Sequence, residues 1–144
     1  MNKFIEKQLQ MNKYVGKRKH GSQLKQHEIT KLFNRLKDVE QWKFSHHALD
    51  RLVEKGINAT YDDIVSTIQN SEIIEYKINY NGRVNRCEER VVLRAKAIVN
   101  GEYNLNVVYS LATSCIVTVW INHINDNHRT LDWSIYDEKM QVFA

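Results

Sequence analysis

Apolar residues recur with a helical period in the first half of the chain and with a strand period in the second. Ile29, Leu32, Phe33, Leu36 and Val39 follow the 3.6-residue repeat, which predicts an amphipathic helix over about residues 28–39. A second helix is expected after Ser45, whose hydroxyl suits an N-cap, and it should stop at Gly56, a residue type favoured just past a helix end. Its apolar stripe reads Ala48, Leu49, Leu52 and Val53. Thr60 and Asp63 stand in capping-box spacing and open a third helix that turns Ile64, Val65 and Ile68 inward.

The period then drops to two. Ile74, Tyr76, Ile78 and Tyr80 alternate with Glu75, Lys77 and Asn79, and the run ends at Asn81-Gly82, a dipeptide whose preference for positive φ predicts a tight hairpin. From Arg90 to Val99 the residues Val91, Leu93, Ala95, Ala97 and Val99 form one stripe, and Asn100-Gly101 closes that run. Further strands are expected from Tyr103 to Leu111 and from Cys115 to Asn122. Four strands with short links predict an antiparallel meander covered on one face by the preceding helices, an α+β fold. The tail alternates as a strand at Leu131, Trp133 and Ile135, while Asp132 equally suits the cap of a short helix running to Met140. Its aromatics, Trp133 and Tyr136, suggest docking on the body.

With 144 residues and no proline or Gly/Ser-rich linker, the chain is the length of one domain able to bury its own core. No apolar run approaches the ~20 residues that cross a bilayer, and no basic-then-apolar leader opens the sequence, so a cytoplasmic protein without membrane contact is expected. Cys87 and Cys115 are too few for a disulfide framework and too far apart for a Cys-x-x-Cys motif. Charge divides the chain. Residues 1–43 hold eleven Lys/Arg against four Asp/Glu, net +7, whereas residues 44–144 are net −3. This suggests a basic N-terminal arm, residues 1–27, helical or flexible and hinged near Gly16 to Ser22, followed by a single α+β domain over residues 28–144. Lys13, Lys17, Arg18, Lys19 and Lys25, with Tyr14 and His20 among them, would make an electrostatic footprint for a phosphate backbone; a solvated terminus has the same composition.

Candidate chemistry gathers on the second helix and the second long strand. His47 and Arg51 are i and i+4, so an imidazole able to move protons stands beside a guanidinium able to clamp phosphate. His46 and Asp50 share the same spacing. Arg90, Arg94 and Lys96 recur at steps of two, opposite the Val91–Val99 stripe, so they share a face and repel unless phosphate or facing carboxylates offset them. His123 and His128, even with His46 or His47, match no common zinc spacing, and neither a phosphate loop, a Gly-x-Ser-x-Gly elbow nor a dinucleotide fingerprint occurs. No metal or cofactor is expected. Tyr14, Tyr76 and Tyr80 could stack bases, although aromatics on alternating strands commonly pack.

The stretch from Phe44 through Ser45-His46-His47-Ala48-Leu49-Asp50-Arg51-Leu52 to Gly56-Ile57 resembles the opening of small bacterial and phage domains of uncharacterised function. These are grouped with the barnase, EndoU, colicin and RelE-like (BECR) fold. The helix from Thr60, the Ile73-Ile74 strand, Val107-Val108-Tyr109 and Val117-Thr118-Val119-Trp120 continue the resemblance in order, over about residues 44–122. The resemblance implies N-terminal helices packed on a four-stranded antiparallel sheet, and metal-independent endoribonuclease chemistry or a catalytically silent, toxin-like RNA binder. On that mapping His47 is the acid or base and Arg51 the phosphate clamp. Arg90 or Arg94 stabilises developing charge, Thr118 binds phosphate, and Tyr109 is a weaker candidate on the apolar side. Together with Lys13, Lys17, Arg18, Lys19 and Lys96, these residues make RNA the expected partner. The alternative is a phage or mobile-element module docking on a host or antitoxin-like protein, and the two sheet edges allow a dimer.

Overall fold

The change of period along the chain separates two layers, helices first and sheet second. A computed structural model describes residues 2–37, 43–126 and 133–143. Helix α1 (Lys3–Asn12) and strand β1 (Arg18–His20) come from the basic arm, and α2 (Gln26–Lys37) follows. Strand β2 (Lys43–Phe44) leads into α3 (His46–Glu54) and α4 (Tyr61–Gln69), and then come β3 (Ser71–Asn81), β4 (Arg86–Val99), β5 (Tyr103–Ser110) and β6 (Cys115–His123). Val39, His128, Leu131 and Asp132 lie outside the described residues. Among the described residues no helix is long and apolar enough to cross a membrane.

The α+β class holds, but the expected sheet of four strands is one of six, in the order β1-β3-β4-β5-β6-β2. The β3–β6 meander forms its centre. β1 joins antiparallel to β3, and β2 joins parallel to β6. Three and two residues are too few to display an alternating pattern, which is why these edge strands do not announce themselves in the sequence. The tail takes a short 3₁₀ turn, Trp133–Ile135, and Tyr136 then bridges to Arg18 on the outer side of β1. Trp133 and Tyr136 set their rings edge-on to His20.

Local chemistry explains most boundaries. The Ser45 hydroxyl accepts from the Ala48 amide at 3.0 Å, and Thr60 and Asp63 close a full capping box. Asn100 and Gly101 both take positive φ, as their turn requires. The first hairpin differs from expectation: Asn81 stays in β3 opposite Arg86, and the turn runs over residues 82–85 with the left-handed residue at Asn85. The Asn81 side chain accepts from the Arg83 amide at 3.0 Å, a local bond that stabilises this wider turn. A bulge between Ile73 and Glu75 turns the Ile73 and Ile74 carbonyls toward Gly21, where a Cβ would collide with them. Glycine is required there by close backbone approach.

Leu32, Leu36, Ala48, Ile64 and Ile68 from α2, α3 and α4 meet Tyr76, Val91, Leu93, Val107, Tyr109 and Ile116 from one face of the sheet. On α3 only Ala48 and Leu52 turn inward; Leu49 and Val53, expected to join them, are 47% and 82% exposed. This helix rests on β6, next to the short edge strand β2, so a single i, i+4 ridge suffices to cover it. The other sheet face carries a small buried apolar cluster of Ile74, Val92 and Val108, with Val117 and Trp120 packed against it.

One carboxylate ties the layers together. Glu89 points to the helix side, where it meets Lys7 of α1 at 3.1 Å and Arg35 of α2 at 2.8 Å, and it accepts from the Tyr76 hydroxyl at 2.8 Å. The Phe143 amide in turn donates to that hydroxyl. Burial alone raises the Glu89 pKa, but Arg35, Lys7 and the hydrogen bonds from Arg35 and Tyr76 outweigh it and hold the carboxyl below its usual range. The charged form therefore stabilises the fold above the unfolded value of about 4.3, and this contribution disappears as pH falls through the lower folded value. Chemical-denaturation midpoints should accordingly drop on acidification below about pH 4. Glu89→Gln should lower the unfolding free energy at neutral pH by about 1–3 kcal/mol, because Lys7 and Arg35 retain contact with water, and should flatten the acid limb.

Candidate functional site

Ser45 starts α3 by donating its hydroxyl to the Val117 carbonyl at 2.6 Å while capping the first turn, which fixes the helix start against β6. Two residues later comes exposed His47, and one turn beyond it half-buried Arg51, whose Nε donates toward His47 Nε2 at 3.5 Å. The imidazole and guanidinium are thus side by side. Among the described residues neither has a carboxylate within ion-pair distance, although Asp50 and Glu54 share the helix.

Arg94 and Thr118 lie on the other face of the sheet from the helix-covered core. Arg94 alternates with buried Leu93 and Ala95, and half-buried Thr118 stands opposite Val108. The structure brings His47 to Arg51, and it brings Arg90, Arg94 and Thr118 to one sheet face; these are two separate groups. Arg94 works as a clasp. It donates to Asn104 Oδ1 at 2.9 and 3.2 Å, to the His123 carbonyl at 3.0 Å and to the Asp126 carbonyl, fastening the chain after β6. It also lines a cleft of about 520 Å³ with His20, Ser22, Glu72 and Asn104.

The strand cations meet differing fates. Arg90 is answered by Glu88, two residues away on its own strand, at 2.6 Å, and Glu88 also accepts from Ser110 Oγ at 2.7 Å. Lys96 lies in the irregular stretch between Arg94 and Ile98, exposed beside a groove with Lys37 and Asn70. In the arm, Lys13 is exposed, Lys17 meets Asp137 at 3.4 Å and Arg18 meets Glu75 at 3.2 Å. Lys19 is turned to the helix side and is only 4% exposed, donating to the Met140 carbonyl at 3.2 Å. Tyr76 and Tyr109 are fully buried in the core, whereas Tyr80 is exposed.

Two cations that the sequence reading passed over join Arg18 and Arg90 on the face opposite the helices. Lys77 stands directly between them, and Lys43 lies on β2 at the far edge. Alternation along β3 marks Lys77 as a surface residue, but only cross-strand register identifies its neighbours. Burial lowers the Lys77 pKa, Glu75 raises it, and Arg18 and Arg90 lower it further. Burial likewise pushes the Cys115 thiol up, as does Glu88, away from the thiolate form a nucleophile needs. Among the described residues no three His, Cys, Asp or Glu side chains gather as metal ligands.

Comparison of the chain with protein-family models, with curated proteins and with solved structures finds no match. For the clasp, Arg94→Lys should reduce stability by about 1–3 kcal/mol, since one ammonium cannot reproduce a planar fork reaching three acceptors. A thermal or urea melt measures the loss, and hydrogen exchange should show faster opening of residues 121–126 than in the wild type.

Proposed function

We propose that this is an RNA-directed protein in which His47 and Arg51 receive a phosphodiester. The observation that carries the reading is the exposed imidazole–guanidinium contact on α3, free of any compensating carboxylate among the described residues. What supports RNA as the ligand is the residue resemblance over residues 44–122, joined to a basic chain with four cations in line on the sheet face opposite the helices. Arg51 supplies a bidentate clamp for two phosphate oxygens. His47 supplies a proton acceptor: it takes the ribose 2′-OH proton, the 2′-oxygen bonds to phosphorus, and the bond from phosphorus to the 5′-oxygen breaks. The proton then passes to that departing oxygen, leaving a 2′,3′-cyclic phosphate. No redox partner enters this balance.

A protein-docking role has its own support in Leu49, Val53 and Tyr61, large apolar residues left exposed on α3 and α4. One assay separates the readings. Single-stranded RNA incubated with the protein in EDTA should yield cyclic-phosphate ends, and His47→Ala should abolish cutting while leaving the circular-dichroism spectrum and RNA affinity near wild type. Arg51→Ala should weaken binding and make its salt dependence shallower by about 0.7 in log–log slope. RNA that is bound but left intact by the wild type overturns the cleavage step and leaves a silent binder. RNA that is not bound at all overturns the proposal in favour of protein docking.

A further inference from the structure

The pairing register threads one residue from every strand into a single line across the sheet. Arg18 faces Lys77, Lys77 faces Arg90, Arg90 faces Ser110, Ser110 faces Cys115, and Cys115 faces Lys43. Directly opposed residues share a face. That face is the one opposite the helices, because the adjoining line of Tyr76, Val91, Tyr109, Ile116 and Phe44 packs against them. With strands about 4.8 Å apart, the line is roughly 24 Å long.

Charge along it is only half balanced. Arg18 pairs with Glu75 and Arg90 with Glu88, whereas Lys77 and Lys43 have no ion-pair partner among the described residues. Four cations against two carboxylates leave +2. If the line were a structural salt-bridge ladder, its central lysine would be expected to face a carboxylate; instead Lys77 faces an arginine on each side. Such repulsion is relieved by an anion that lies across all three strands. Ser110, buried with its hydroxyl on Glu88, and half-buried Cys115 continue the line with small side chains to Lys43.

Groups suited to bases lie beside the line. The next positions along the same face are Glu75, Val92, Val108 and Thr118, and beyond them come Arg94, Asn106 and Trp120; Val92, Val108 and Asn106 are buried, so Thr118 and half-exposed Trp120 are the groups within reach of a base. An indole beside a row of cations suits single-stranded nucleic acid, with phosphates on the cations and an unstacked base on the aromatic. The line also has a destination. Lys43 precedes Ser45, the cap of α3, and His47 follows within four residues.

We propose that Arg18, Lys77, Arg90 and Lys43 form a phosphate track on which single-stranded RNA crosses the sheet at right angles to its strands and reaches the His47–Arg51 pair. The inference rests on the RNA reading above and adds to it a binding surface on the opposite face of the sheet. Arg90 is a poor residue to remove, since Glu88 would be left buried and unpaired. Lys43 and Lys77 are the ones to change.

The experiment is fluorescence anisotropy with a labelled single-stranded RNA of about 12 nucleotides, within the site sizes of single-strand binders, titrated over a range of salt concentrations. Lys43→Glu and Lys77→Glu should each make the log–log salt slope shallower by about 0.7, and the double variant by about 1.4. Lys31→Glu, which makes the same charge change on the exposed side of α2, should leave the slope within error. Lys77→Gln replaces Lys77→Glu should the acidic side chain unfold the protein, with the same expected slope change. A double variant that keeps the wild-type slope while Arg51→Ala still reduces it overturns the track alone. Equal losses from Lys31→Glu and Lys77→Glu also overturn it, since net charge would then account for binding. Wild-type protein that fails to bind the RNA overturns the RNA reading and the track together.

Discussion

Pairing register is the constraint from which the rest of this structure follows. Residues opposite one another across six strands form successive lines, and neighbouring lines point to opposite faces. One line runs Tyr76, Val91, Tyr109, Ile116 and Phe44 into the helix-covered core. The next runs Arg18, Lys77, Arg90, Ser110, Cys115 and Lys43 on the side away from the helices. Burying each large apolar side chain of the first line contributes about 1.5–3 kcal/mol, and a one-residue slip would exchange those side chains for desolvated cations at several kcal/mol per ion. Hydrophobic burial on one face therefore locks charge in place on the other. The Glu89 network adds the second fastening, since it joins α1, α2, β3, β4 and the Phe143 backbone to one carboxylate.

Much of this was legible in the residues themselves. The three central helices, the four-strand meander, the Ser45 and Thr60 caps and the Asn100-Gly101 turn all rest on local chemistry, which a sequence displays directly. β1 and β2 were not legible, because two or three residues carry no period. Leu49 and Val53 misled for a related reason: helical spacing says which residues share a side, not how wide a side the neighbouring element will cover. Asn81-Gly82 suggested the right hairpin but the wrong turn, as the Asn81 side chain found a backbone amide to hold.

The candidate site divides along the same boundary between local and non-local information. His47 and Arg51 are i and i+4 on one helix, so their meeting could be read from spacing. Lys77 and Lys43 are brought into line with Arg18 and Arg90 by pairings between strands far apart in sequence, which spacing cannot convey. Arg94 fitted the pattern of a phosphate ligand, but its donors are taken up by Asn104 and two carbonyls that secure the end of β6. A guanidinium occupied in this way positions the chain. Lys77 and Lys43 on the sheet face opposite the helices and Arg51 on α3 have no ion-pair partner among the described residues, and β2 is the short strand that connects those two regions.

The most direct test of the account is an amide chemical-shift titration of the intact protein with short single-stranded RNA. The account predicts shifts concentrated at Lys77, Arg90, Ser110, Cys115 and Lys43 and continuing into the first turn of α3, with α2 and α4 unaffected. Shifts confined to the outer surfaces of α2 and α4, or no shifts at RNA concentrations that saturate weak binders, would contradict it.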